Sequence, residues 1–192
     1  VEVRVVEDDE RRVAAKLAER VKKLVVGKGT DAGVTVGPLI DEQGMKKVEE
    51  HVADAVAKGA KVVIGGKRSA HGGRFFEPTL LTGVTTEMKV AREETFGPVA
   101  PLFRFKTEEE ALQLANDTEF GLAGYFYARD VGRVMRVAEG METGMVGVNV
   151  GILANEVAPF GGVKQSGLGR EGSKYGVEDF LEIKYICLGG IQ

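Results

Sequence analysis

The side chains in this 192-residue sequence that could do chemistry are few, and they gather in two runs. One is Pro159-Phe160-Gly161-Gly162-Val163-Lys164-Gln165-Ser166-Gly167-Leu168-Gly169-Arg170-Glu171, where glycines surround an aromatic and two cations more densely than packing alone requires. Lys164 and Arg170 could hold a phosphate, or simply be solvated beside a glycine-rich loop. The other run is Glu93-Glu94-Thr95-Phe96-Gly97-Pro98-Val99. By residue type alone, Glu94 reads as a solvated glutamate before a turn and Phe96 as part of a core.

A nucleophile is harder to find. The only cysteine is Cys187, inside the apolar stretch 180–188, and a strand cysteine of this kind is expected to be a buried, inert hydrophobe. Nothing near it in sequence would lower its pKa. It can form no internal disulfide, which fits a reducing intracellular compartment, the cytoplasm first. His51 falls on a helical stretch beside its apolar stripe, and His71 falls in a loop. Neither has a metal-ligand partner at useful spacing, so no metal site is expected.

Gly167-Leu168-Gly169-Arg170-Glu171-Gly172 spells G-x-G-x-x-G. The dinucleotide fingerprint needs a strand before it, a helix after it and an acidic residue about 20 positions on. Polar residues precede this copy, and the position 20 beyond lies at the chain terminus, so the motif is expected to be a tight glycine loop.

These runs must be held by an α/β framework, because strand-like and helix-like periods alternate along the chain. A strand is expected from residue 1 to Val6. Acidic residues 7–10 suit a helix N-terminus, and Val13, Leu17, Val21 and Leu24 recur at helical spacing up to Gly27. Asp41 opens a second helix with Met45, Val48, Val52 and Val56 on one stripe, closed by Gly59. Strand 61–64 follows. Phe75-Phe76 and residues 79–81 read as a strand pair interrupted by Pro78, and Val99–Phe105 as a further strand. Thr107 and Glu110 form a capping box ahead of the next helix. A strand through Tyr125-Phe126-Tyr127, a helix carrying Val131, Val134, Met135 and Ala138, and a strand 145–150 complete the pattern. Residues 182–188 alternate well enough for an edge strand, which is a template for another chain.

Composition excludes several partners. With 43% hydrophobic residues, 29% charged residues and a net charge of −3, the chain shows no basic stripe interleaved with aromatics, so nucleic acid is not expected. No apolar run approaches the roughly 18 residues of a membrane span. Its length allows one domain. It begins without methionine in mid-strand, and is read as the C-terminal piece of something longer.

Both runs, in this order and at this spacing, resemble the late motifs of the aldehyde dehydrogenase superfamily. The segments Asn116-Asp117-Thr118-Glu119-Phe120-Gly121-Leu122, Asn155-Glu156-Val157-Ala158-Pro159-Phe160 and Gly169-Arg170-Glu171-Gly172-Ser173-Lys174-Tyr175-Gly176 are most similar to succinate-semialdehyde dehydrogenases. The resemblance covers nearly the whole chain, but only about the last two-fifths of such an enzyme. It implies a catalytic-domain fold: a mostly parallel sheet flanked by helices, with residues 178–190 as a subunit-pairing strand in a homo-oligomer. It implies NAD or NADP as cofactor and a small-molecule aldehyde as substrate. Glu94 would accept the ribose hydroxyls and Phe96 pack beside the nicotinamide, a carboxylate suiting a diol because it only accepts. Phe160 and the loop 151–158, with Ala154, would wall the substrate. At Ala154 the subfamily usually carries a serine that helps bind the substrate carboxylate, so succinic semialdehyde is implied as the ancestral substrate and less securely as the present one.

In the family, a cysteine thiolate attacks the aldehyde, hydride leaves for the nicotinamide, and a glutamate base activates water to release the acid. Those groups and the Rossmann domain lie upstream of the matching segment. The chain is therefore expected to be inactive alone and, by itself, to bind no cofactor or only through Glu94 and Phe96. The alternative is a folding or assembly module on the same scaffold.

Overall fold

The computed structural model describes residues 3–190, so residues 1 and 2 of the first expected strand lie outside the described residues. The chain divides into two compact units at Ala111/Leu112. The division falls within the helix Glu108–Asn116.

The first unit contains β1 (Val3–Val6), α1 (Glu10–Val21), α2 (Glu42–Ala57), β2 (Lys61–Ile64), β3 (Thr79–Val84), the single turn α3 (Lys89–Arg92), β4 (Val99–Phe105) and the start of α4 (Glu108–Asn116). Its sheet has the order β1-β4-β3-β2. Strands β1 and β3 both run parallel to β4, while β2 is an antiparallel edge on β3. Strand alternation sends side chains to two helical faces. Leu80 and Leu102 are buried with Val5 toward Ala14 and Ala18 of α1. Leu81, Val99 and Phe103 are buried with Met45, Val48, Val52 and Ala55 of α2 and with Phe76. This is the helix-flanked sheet that the alternating periods predict, and it is mixed rather than wholly parallel.

Helix α2 starts where the sequence places it, because the Asp41 carboxylate accepts from the Gly44 N–H at 2.7 Å. The Thr107 hydroxyl likewise accepts from Glu110 N–H at 3.2 Å, while Glu110 reaches back to the Lys106 N–H at 2.7 Å. Helix α1 ends at Val21, short of Gly27. There the chain turns away, and Val25 donates to the Thr35 hydroxyl and accepts the Val36 N–H. Phe75-Phe76 forms no strand. Phe76 makes only an isolated bridge to Arg68, since Pro78 has no N–H for a ladder.

The second unit holds β5 (Phe120–Gly121), β6 (Ala123–Phe126), α5 (Val131–Gly140), β7 (Met145–Val148) and β8 (Val163–Lys164). Strands β6 and β7 pair in parallel and are joined by α5 as a βαβ unit. Asp130 caps α5 by accepting the Arg133 N–H at 2.7 Å. Strands β5 and β8 pair antiparallel. Among the described residues of this unit, Met145 is the buried large apolar side chain.

The edge strand expected over 182–188 forms no ladder within the described chain, and residues 181–190 are all exposed. No neighbouring strand of the chain offers these residues its backbone groups. Cys187 is therefore exposed, not the buried strand residue expected. No described helix is long and apolar enough to cross a membrane.

Candidate functional site

The Glu93–Val99 run leaves α3 and enters β4, and three contacts fix it. Glu93 ends α3, its N–H donating to Lys89 O at 2.9 Å. Thr95 is buried, and its hydroxyl lies 3.0 Å from Nδ1 of His51, itself 1% exposed on α2. Gly97 lies so close to α2 that an added Cβ would run into the Val48 side chain. Between these anchors the backbone of Phe96 is forced to φ +47°, and its ring is 79% exposed. A phenylalanine in the left-handed region is strained by roughly 1–2 kcal/mol. Such strain persists only where the surroundings over-determine it, and it gathers at functional sites.

Phe96 is thus not the core residue that its type alone suggested. It stands beside Glu94, which is also exposed. An exposed acceptor-only carboxylate next to an exposed aromatic face can take a diol and an adjoining ring, which are the two parts of a nucleotide's ribose end.

His51 was passed over in the sequence, and it organises this loop. Its Nε2 faces the Glu93 carboxylate at 3.4 Å. A carboxylate only accepts, so Nε2 is the donor toward Glu93, while Nδ1 meets the Thr95 hydroxyl. The signal was available: His51 lies three residues after Val48 and four before Ala55, both fully buried on α2.

In the second unit, Ala154 and Phe160 lie in the loop between β7 and β8. Ala154 is exposed, and Phe160 is 36% exposed. Asn155 folds the loop back, its side-chain oxygen accepting the Val157 N–H at 3.0 Å. Phe160 exchanges backbone hydrogen bonds with Glu171 at 2.9 and 2.6 Å. Gly161 lets the strands of this loop meet, since a Cβ there would sit 2.5 Å from Gly169 O. At the loop's start, Asn149 adopts φ +56° and pairs its side-chain amide with both backbone groups of Ala128, at 3.0 and 2.8 Å.

The two cations of the glycine run are engaged with groups of the chain itself, Lys164 at an exposed position and Arg170 half-buried. Lys164 Nζ donates to Asn116 O at 2.9 Å and Thr118 O at 3.1 Å, and pairs with Glu142 at 2.5 Å. Arg170 donates to the carbonyls of Gly162 and Gly169, both at 2.7 Å. Arg170 thus holds carbonyls of the glycine run itself, and Lys164 those at the end of α4 and just after it. The G-x-G-x-x-G stretch follows the two-residue β8 and a turn, and no α-helix follows it. No group of three or more His, Cys, Asp or Glu among the described residues could hold a metal.

A mixed sheet between helices, with a strained aromatic-carboxylate loop at the start of one of its inner strands, defines an α/β segment with an exposed loop at a strand's entry. The Aldehyde dehydrogenase family matches residues 2–186, and the chain belongs to that family. It is 66% identical over 94% of its length to a 3-sulfolactaldehyde dehydrogenase from Pseudomonas putida, covering 37% of that relative. It is 65% identical over 93% of its length to the NADP(+) succinate-semialdehyde dehydrogenase GabD of Escherichia coli, again covering 37%. The crystal structure of succinate-semialdehyde dehydrogenase from Burkholderia pseudomallei superposes with a TM-score of 0.94 at 64% identity, over 96% of this chain and 38% of that one. The chain thus spans little more than a third of the curated relatives it matches.

Proposed function

We propose that this chain supplies the nicotinamide-side and substrate-side walls of an NAD(P)-dependent dehydrogenase that oxidises a short aldehyde bearing a terminal anion. The observation that carries the nucleotide half is the Glu94-Phe96 loop, which holds an aromatic ring in solvent at a strained φ beside an exposed carboxylate. Nothing in packing rewards that arrangement, whereas a bound ribose and nicotinamide would. Glu94 accepts the ribose hydroxyls and Phe96 covers one face of the ring. A bound nucleotide would supply the hydride acceptor, and Glu94 and Phe96 would hold and orient it.

For the substrate half, the relatives' names supply the support. 3-Sulfolactaldehyde and succinic semialdehyde share an aldehyde at one end and an anion, sulfonate or carboxylate, at the other. Phe160 and the loop carrying Ala154 form the aldehyde-side wall. With alanine at 154, no hydroxyl at this position meets the anion, which favours succinic semialdehyde less than a serine would. A lost hydrogen bond to a charged group is worth about 1.5–3 kcal/mol.

The thiolate and base that the reaction needs are expected in the part of the relatives that this chain does not match, so the chain alone does not turn over. Residues 178–190, exposed throughout, serve as a subunit-pairing segment that becomes a strand on pairing, and the reaction's thiolate suits a reducing compartment such as the cytoplasm. A second reading, an assembly module without catalysis, is favoured by that same exposed segment.

The test is NAD+ and NADP+ reduction by the purified chain with succinic semialdehyde, beside Cys187→Ala, together with an NADH titration of the chain and of Glu94→Ala. The expected result is no turnover in either protein, and nucleotide binding that weakens about tenfold or more in Glu94→Ala. Turnover that disappears in Cys187→Ala would make Cys187 the nucleophile and overturn the proposal. Indifference to nucleotide would favour the assembly module.

A further inference from the structure

We infer that His51 is a positioning residue for the Glu94-Phe96 loop, acting through Thr95 to set the left-handed backbone at Phe96 and so the display of both nucleotide-contacting side chains. The inference rests on the nucleotide reading above for its functional consequence, but its geometry stands apart from it.

Three observations converge. His51 is buried on the inner face of α2, among residues that are otherwise apolar, so an unpartnered imidazole there would be costly. Both of its ring nitrogens face the loop, Nδ1 at Thr95 and Nε2 at Glu93. And Thr95 is the residue immediately before the strained Phe96, while Gly97, immediately after it, is pressed on Val48 three residues before His51. One turn of α2 therefore grips the loop on both sides of Phe96. The Gly97 grip is steric and fixes position only. The His51 grip is directional: a hydrogen bond orients the Thr95 side chain and hence the peptide that enters Phe96. Without it, the left-handed conformation has nothing on its N-terminal side to hold it, and the loop relaxes toward the extended backbone that phenylalanine prefers.

Glu94 and Phe96 contact the nucleotide in the proposed function; the buried His51 and Thr95 do not, so their substitution acts on display alone. The experiment is solution NMR of the chain with selective labels on phenylalanine, which reads the Phe96 Cα and Cβ shifts as reporters of its backbone angles. The set is His51→Ala, His51→Asn, and Thr95→Val, which keeps the shape of the threonine and removes only the hydroxyl. The asparagine amide can reproduce the Nδ1 contact, so His51→Asn is the rescue variant.

In His51→Ala and Thr95→Val, the Phe96 shifts are expected to move from left-handed values toward extended ones, while shifts across β3 and β4 stay. His51→Asn is expected to recover most of the original pattern, a rescue that a purely space-filling role would not show. NADH affinity is expected to fall roughly five- to tenfold in Thr95→Val, the worth of one buried hydrogen bond. Unchanged Phe96 shifts in Thr95→Val overturn the inference, even if His51→Ala does not fold. Shifts that move while Glu94→Ala leaves NADH affinity untouched support the His51 role and overturn the nucleotide reading instead, so the two failures are distinct.

Discussion

Phe96 and Gly97 occupy adjacent positions with opposite demands. Phe96 has a side chain that its backbone angle penalises, and Gly97 lacks one because Val48 occupies the space. If the strain at Phe96 serves binding, removing it should raise stability and lower affinity together. Asparagine tolerates the left-handed region without glycine's additional chain entropy. Phe96→Asn is therefore expected to stabilise the chain by up to about 1 kcal/mol in urea titrations, since the lost ring is largely solvent-exposed. The same variant is expected to weaken NADH binding. Gly97→Ala should act in the other direction, costing about 1–3 kcal/mol as Val48 is displaced. A Phe96→Asn protein less stable than the parent would mean that the ring packs in solution. Much of this loop was legible as motif but not as geometry. The order of Glu94, Thr95 and Phe96 could be read from the sequence. The burial of Thr95 and the exposure of Phe96 could not, because Thr95 finds its partner in a histidine 44 residues earlier in the chain and Phe96 follows it in the left-handed region.

At the scale of elements, the helices with a cap and a stripe were legible in full: α2 between Asp41 and Gly59, and α4 behind Thr107. Each carries its start signal in adjacent residues. Elements bounded by distant partners were not, as α1 shows by stopping at Val21 when Thr35 and Val36 recruit the backbone of Val25. Residues 182–188 show the same limit, since alternation predicts a strand but only a partner makes one. The outer face of α2 carries the charges that tie it to the rest of its unit. Arg68 grips Glu49 with both Nε and an Nη, at 2.7 and 2.9 Å, and Glu42 at 2.8 Å. The Arg68 hydrogen bond holds the Glu49 carboxyl below its ordinary 4.5, the Lys89 hydrogen bond does the same for Glu50, and that of Lys58 lowers Asp54 from 3.8. All three bind protons more weakly folded than unfolded. Their contribution is therefore complete above about pH 4.5 and is lost as pH falls through the lowered folded values. The urea midpoint should hold from neutral pH to about 5 and drop below it, and Arg68→Ala should flatten the Glu49 share of that drop. A midpoint that rises on acidification would reverse the assigned signs.

Across the whole molecule, the two units differ in how they are sustained. The first buries two apolar layers against its sheet, with Met45, Leu80, Leu81, Met88 and Leu102 fully enclosed. The second has Met145 as its buried large apolar side chain, while Phe120, Leu122, Tyr125, Tyr127 and Met135 remain exposed. It is held mainly by backbone and carbonyl hydrogen bonds such as those of Lys164, Arg170 and Asn149. Hydrogen bonds contribute only about 1 kcal/mol each net of water, so this unit should open first. The sequence provides two separate reporters. It has no tryptophan, and its four tyrosines, at 125, 127, 175 and 185, all belong to the second unit. The two longest helices, α1 with 12 residues and α2 with 16, belong to the first and dominate the helical circular dichroism. In a urea titration the tyrosine transition is expected to precede the dichroism transition. Coincident curves would show the units unfolding together, as the single domain that the chain's length suggested. Separate curves would mean that the loop of Ala154 and Phe160 rests on the less stable unit, so that it loosens at urea concentrations where the Glu94-Phe96 loop still holds.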